Sequence, residues 1–206
     1  SGHDHENHED HDEDHDHEAH EHEDSHEHEE VEYDEHVWTS PVNAAAIVSH
    51  LADTLCALDG ENAGLYQANC AGYTQKLGEL DAAFRQVVAG GVRKTLIFGD
   101  RFPFRYLADA YGLDYYAAFP GCATDTQASA KTVAFLIDKV SGEHIPVVFH
   151  IELSDEKLAD TLCEATGAKK LLLHSCHNIT KDEFADGVSY LDLMTRNVEA
   201  LKEALN

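Results

Sequence analysis

Apolar residues are nearly absent from the first 35 positions and then recur with two different periods. From Val42 to about Ala57 they fall at helical spacing, with Ala45, Val48, Leu51 and Leu55 on one stripe. Pro41, just ahead, suits the first turn of a helix. Asp59-Gly60 interrupts the pattern, and a second helical stretch runs from Glu61 to about Val88. There Leu65, Tyr66, Ala68, Tyr73, Leu77, Leu80, Phe84 and Val87 lie near a 3.6-residue period. A helix of that length is about 40 Å long, a spine rather than a core filler. Gly90-Gly91 closes it.

Beyond that point short apolar runs alternate with helical patterns. Strands are expected at 94–98, 114–119, 146–151 and 170–174, and helices at 102–111, 126–140, 154–166 and 188–204, with Ser154 placed to cap the third of these. Continuous apolar strands separated by helices predict a parallel sheet covered on both faces. The expected fold is therefore α/β: a long spine helix followed by a four-stranded parallel sheet flanked by helices. In open sheets of this kind ligands bind at the carboxyl ends of strands. That rule selects Asp100 and Arg101, Pro120-Gly121-Cys122, Glu152, and the stretch from His174 to His177. No apolar run approaches the about 18 residues of a membrane span, and no signal peptide is visible. The chain starts without Met inside low complexity, as expected of a fragment whose upstream part is absent.

Charge divides the chain again. Of its 40 acidic residues 18 lie in positions 1–35, where there is no Lys or Arg, which leaves 22 acids against 14 bases in an ordinary body. The overall charge of −26 excludes nucleic acid as a natural partner, because phosphates are repelled. The acids of 1–35 alternate with His3, His5, His8, His11, His15, His17, His20, His22, His26 and His28. Such a segment cannot build a core and is expected to be disordered when metal-free. Its imidazoles suit zinc, copper or nickel, and its carboxylates attract any divalent cation, giving several weak sites rather than one rigid one. Three regions follow: 1–35 as a metal-collecting segment, 36–90 as a loop and helical spine, and 91–206 as an α/β lobe.

Cys56, Cys70, Cys122, Cys163 and Cys176 form no CxxC pair and are odd in number, so they do not read as a disulfide framework, and all but Cys176 read as small buried hydrophobes. His36 stands in a loop beside Trp38. Asp100 is either an N-cap or a ligating carboxylate, with Arg101 next to it as a possible neutraliser. His174-Ser175-Cys176-His177 holds three candidate ligands in four residues. If extended, His174 and Cys176 share a face; if turned, His174 and His177 converge. Glu152 reads as a structural carboxylate at a strand end.

The stretch Asp34-Glu35-His36-Val37-Trp38-Thr39-Ser40-Pro41 resembles the D-P-H-x-W-x-x-P motif of zinc/manganese-binding receptors of ABC transporters, the cluster A-I solute-binding proteins. The resemblance continues through the spine, Tyr111-Gly112-Leu113, Gly167-Ala168-Lys169, Tyr190-Leu191-Asp192-Leu193-Met194 and Asn197. It implies two α/β lobes joined by a long helix, with one metal held between them by four side chains. This chain would supply the spine and the whole C-terminal lobe, without the first lobe's strands and its His ligand. The resemblance places His36 at the family's second His. It places the third ligand at Asp100 or Arg101, of which only Asp100 can bind a cation, and the fourth at His174, with Cys176 and His177 as neighbouring candidates. It implies zinc as cargo, with manganese possible; imidazole-rich ligation favours zinc. It also implies a membrane permease as partner, an extracytoplasmic location and no catalysis. Two rival readings remain: a hydrolase in which Asp100, His174 and His177 hold zinc while Glu152 activates water, and a metal store in which only the tail matters.

Overall fold

A computed structural model describes residues 34–119 and 128–206. A single 3-10 turn, Val37–Thr39, leads into α1 (Pro41–Leu58), whose start is fixed by Pro41 in the first turn and by the Ser40 hydroxyl accepting the Asn43 N–H. Another 3-10 turn, Gly60–Asn62, reverses the chain into α2 (Ala63–Gly90), the 28-residue spine. Its buried residues Leu77, Leu80, Phe84 and Val88 repeat every three to four positions, which makes one continuous apolar stripe.

The α/β part follows as β1 (Thr95–Phe98), α3 (Arg105–Tyr111), β2 (Asp114–Ala117), α4 (Ala130–Gly142), β3 (Val147–His150), α5 (Lys157–Thr166) and β4 (Lys169–Leu172), then α6 (Lys181–Ala185) and α7 (Tyr190–Ala204). All strands pair in parallel, in the order β2-β1-β3-β4. Successive side chains along a strand point to opposite faces. Leu96, Phe98, Val147 and Phe149 accordingly join the core formed with α2, α3 and α7, whereas Ile97 and Val148 join the core under α4 and α5. At the chain's end the carbonyl of Leu205 accepts the N–H groups of Val92 and Arg93, at 2.9 and 3.3 Å, tying the end of α7 to the start of β1.

The expected order of elements holds, and the differences sit at boundaries. The helix expected from 102 starts at Arg105 because Pro103 disfavours helical backbone before it, and Phe102 and Phe104 instead bury beside Phe98. Ser154 does not cap α5. Leu153 and Glu156 adopt left-handed backbone (φ 57° and 56°), the helix begins only at Lys157, and the Ser154 Oγ is buried without a hydrogen-bond partner among the described residues. The short α6, opened by a Thr180–Glu183 capping box, was not expected. Helix α1, at 18 residues and mean hydropathy 1.2, is long and apolar enough by length and composition to cross a membrane, where the sequence reading saw no such run. Its buried Ala44 and Ala52 lie on the face turned to α2.

Candidate metal centre

From β1 the chain crosses to β2 at one edge and then returns to β3 on the other side of β1. The crevice outside the carboxyl ends of β1 and β3 is therefore the topological switch point of the sheet. Gly99 closes β1 there, and only glycine fits: a Cβ would lie 2.5 Å from the Ala159 Cα. Asp100 follows, 7% exposed. Its carboxylate accepts the N–H of Ile151 at 3.2 Å and that of Arg101 at 2.8 Å, so it bridges the chain leaving β1 to the chain leaving β3. It caps no helix.

His36 is 5% exposed and sits at the head of the first 3-10 turn. Its Nδ1 lies 2.8 Å from Asp34 Oδ1, which also accepts the His36 backbone N–H. A carboxylate only accepts, so Nδ1 carries the hydrogen, which in a neutral ring leaves the lone pair on Nε2. A carboxylate behind a histidine in this way fixes its orientation and raises its basicity, the arrangement found behind metal-binding imidazoles. The ring of His177 lies 5.5 Å from that of His36, and Trp38 flanks both at 5.3 and 6.0 Å. The structure thus brings His36 and His177 together across 141 positions of sequence.

The residues from His174 to His177 form a turn rather than an extended strand end, with Cys176 in the left-handed region at φ 60°. Glu152 lies inside the turn: its carboxylate accepts the Ser175 N–H at 2.8 Å, the Ser175 hydroxyl, and the His177 N–H at 3.3 Å. Asn197 clamps His174 from the other side, accepting its N–H and donating to its carbonyl, both at 2.8 Å. Trp38 joins the same turn through its indole N–H, which donates to the Ser175 carbonyl at 2.9 Å. The Trp38 carbonyl in turn accepts the Tyr190 hydroxyl at 2.7 Å, and burial holds that phenol above its usual pKa range, as a donor.

His174 does not meet His177. It is 3% exposed, its Nδ1 accepts the Cys176 N–H at 2.9 Å, and its Nε2 is buried with no hydrogen-bond partner among the described residues. The Cys176 thiol packs against the apolar core, and burial, with the Glu152 charge second, pushes its pKa up to about 12. Among the described residues no group of three or more His, Cys, Asp or Glu is spaced to hold a metal ion. Cys56, Cys70 and Cys163 are free and half-buried. Cys122 and the ten tail histidines lie outside the described residues. Glu152, the base of the hydrolase reading, has its carboxylate taken up by three donors.

Two residues named only as part of the resemblance carry the site's geometry. Asp34 opens the stretch that resembles the receptor motif, two positions before His36, but the motif gave it no role of its own. Asn197 left a readable signal: a polar side chain, 1% exposed, on the stripe of Leu193, Met194, Val198 and Leu201 in α7.

Residues 2–204 match the family described as zinc-uptake complex component A periplasmic, ZnuA. The chain is 34% identical over 172 residues to the high-affinity zinc uptake system protein ZnuA of Bacillus subtilis, covering 84% of this chain and 53% of that protein. It is 32% identical over 172 residues to the zinc-binding lipoprotein AdcA of Streptococcus pneumoniae, covering 84% of this chain and 34% of that protein. Among solved structures, the metal-dependent lipoprotein YcdH of Bacillus subtilis superimposes with a TM-score of 0.73 at 32% identity, over 84% of this chain and 64% of that one. The Zn(II)-bound ZnuA-like domain of Streptococcus pneumoniae AdcA does so with a TM-score of 0.71 at 31% identity, again over 84% and 64%. The chain thus spans about a third of one curated relative and about half of the other. With nearly its whole length matched, the chain belongs to the family of periplasmic zinc-uptake component A proteins.

Proposed function

We propose that this chain binds zinc as part of the extracytoplasmic substrate-binding component of a metal ABC importer, with His36 and His177 as ligands. The observation that carries the reading is the pairing of those two rings, 5.5 Å apart, with the Asp34 carboxylate behind His36. The zinc-related names of its relatives, and their description as periplasmic or lipoprotein components, support it. Zinc takes four ligands, so the remaining positions are filled from outside the described residues. The acidic, histidine-rich segment 1–35 collects the cation and passes it on. Imidazole ligation favours zinc over manganese by the usual affinity order. The protein binds and delivers to a membrane permease, and no bond is made or broken. Asp100, His174 and Cys176 act here as structural residues, in keeping with their hydrogen bonds and burial.

Trp38 is the chain's single tryptophan, so its fluorescence separates this centre from binding in the tail. Titration of the 206-residue chain with Zn²⁺ at pH 7.5 gives a saturable change in Trp38 emission. The response is lost toward pH 5, because imidazoles ordinarily protonate near about pH 6.5 and protons then compete with metal. Zinc uptake with no Trp38 response at pH 7.5 identifies a tail-only store instead, and a response unchanged at pH 5 defeats histidine ligation.

A further inference from the structure

We propose that Glu152 is the positioning residue of this centre, setting both histidines through the Ser175–His177 turn without touching the metal; this rests on reading His36 and His177 as zinc ligands. The side chain of Glu152 is 7% exposed, and the His174 Nδ1 lies 3.8 Å from its carboxylate. Its two oxygens instead take the Ser175 N–H, the Ser175 hydroxyl and the His177 N–H. A buried carboxylate is stabilised by such convergent donors, and it holds their geometry in return. Through the His177 N–H it sets where that ring leaves the backbone. Through Ser175 it sets the other half of the site, because the Ser175 carbonyl receives the Trp38 indole N–H and Trp38 is two residues from His36.

The turn needs such an anchor. Cys176, between Ser175 and His177, has left-handed backbone at φ 60°, which non-glycine residues adopt only when their surroundings over-determine it. Glu152 fixes the residue on each side of Cys176, and the His174 Nδ1 accepts the Cys176 N–H itself. Without the carboxylate, the Ser175 N–H and hydroxyl lose their acceptor, the His177 N–H keeps only the Ser175 Oγ, and the turn relaxes. The two rings then no longer stand 5.5 Å apart.

The test is zinc titration at pH 7.5, followed by Trp38 emission, of the wild-type chain and of Glu152→Gln, Glu152→Asp, Ser175→Ala and His36→Ala. Glu152→Gln keeps the size but turns one oxygen into a donor facing donors, and it weakens the Trp38-reported midpoint about tenfold or more, the usual effect of losing a partner behind the ligands. Its metal-free emission also shifts, since the indole loses its fixed acceptor. Glu152→Asp recovers part of the affinity, and Ser175→Ala, which removes the hydroxyl's bond to Glu152 and its acceptance of the His177 N–H while leaving the Ser175 N–H bonded, gives a smaller loss in the same direction. A folded Glu152→Gln chain with the wild-type midpoint overturns the proposal. If Glu152→Gln fails to fold by circular dichroism, Ser175→Ala decides, and an unchanged midpoint there overturns it equally. A His36→Ala chain with the wild-type midpoint is a different failure: it removes the zinc reading, and the positioning role with it.

Discussion

His36 and His174 are similarly buried, at 5% and 3% exposed, yet they present opposite faces of the imidazole. Behind His36 is an acceptor, the Asp34 carboxylate, so its Nδ1 carries the hydrogen and its Nε2 the lone pair. Behind His174 is a donor, the Cys176 N–H, so its Nδ1 lone pair is already taken and the hydrogen sits on Nε2. A cation needs the lone pair. The group on the far nitrogen, rather than residue type or burial, therefore separates a histidine prepared for metal from one that holds a turn together.

The most demanding test of the difference is removal of each ring. His36→Ala should weaken the Trp38-reported zinc midpoint about 100-fold or more, near 3 kcal/mol, with the fold kept. Replacing what stands behind His36 is the next largest effect. Asp34→Asn keeps an oxygen for the Nδ1–H but removes the charge, and should cost about tenfold in zinc affinity, measured by the same emission. His174→Phe should leave the zinc response in place. It removes the acceptor of the Cys176 N–H, at about 1–2 kcal/mol, and also the unpartnered Nε2–H, so thermal unfolding should shift down by a few degrees or less. A folded His174→Phe chain without a zinc response would make His174 a ligand and erase the contrast.

Much of the fold was legible because β1 and β3 are covered on both faces and so read as uninterrupted apolar runs, Thr95–Phe98 and Val147–His150. The edge strands were harder to bound, since β2 opens on Asp114 and β4 on Lys169 and Lys170, residues that central strands do not carry. Five-residue α6 was missed because its only apolar side chains are Phe184 and Ala185, too few to make a period. The site was legible as residue types and not as geometry. The sequence puts His174, Cys176 and His177 together, but whether they run straight or turn is decided by Glu152 and Asn197, each 23 positions away. No local pattern announces left-handed backbone at a cysteine. His36 was legible through its motif, yet its pairing with His177 depends on the indole of Trp38 reaching the Ser175 carbonyl.

Ser154 supplies the smallest effect and the sharpest control on the comparison. Like His174 it carries a buried polar atom without a partner among the described residues, but it has no second group doing useful work. An N-cap role would give its Oγ an N–H to accept; the left-handed Glu156 instead delays α5 to Lys157 and leaves the hydroxyl behind. An unsatisfied buried hydroxyl costs free energy, so Ser154→Ala should stabilise the fold by up to about 1 kcal/mol, a rise of about 2–4 °C in melting temperature. His174→Phe loses the Cys176 contact as it removes its unpartnered atom, so the two variants should move melting temperature in opposite directions. If Ser154→Ala lowered it, the Oγ would have to be satisfied by buried water.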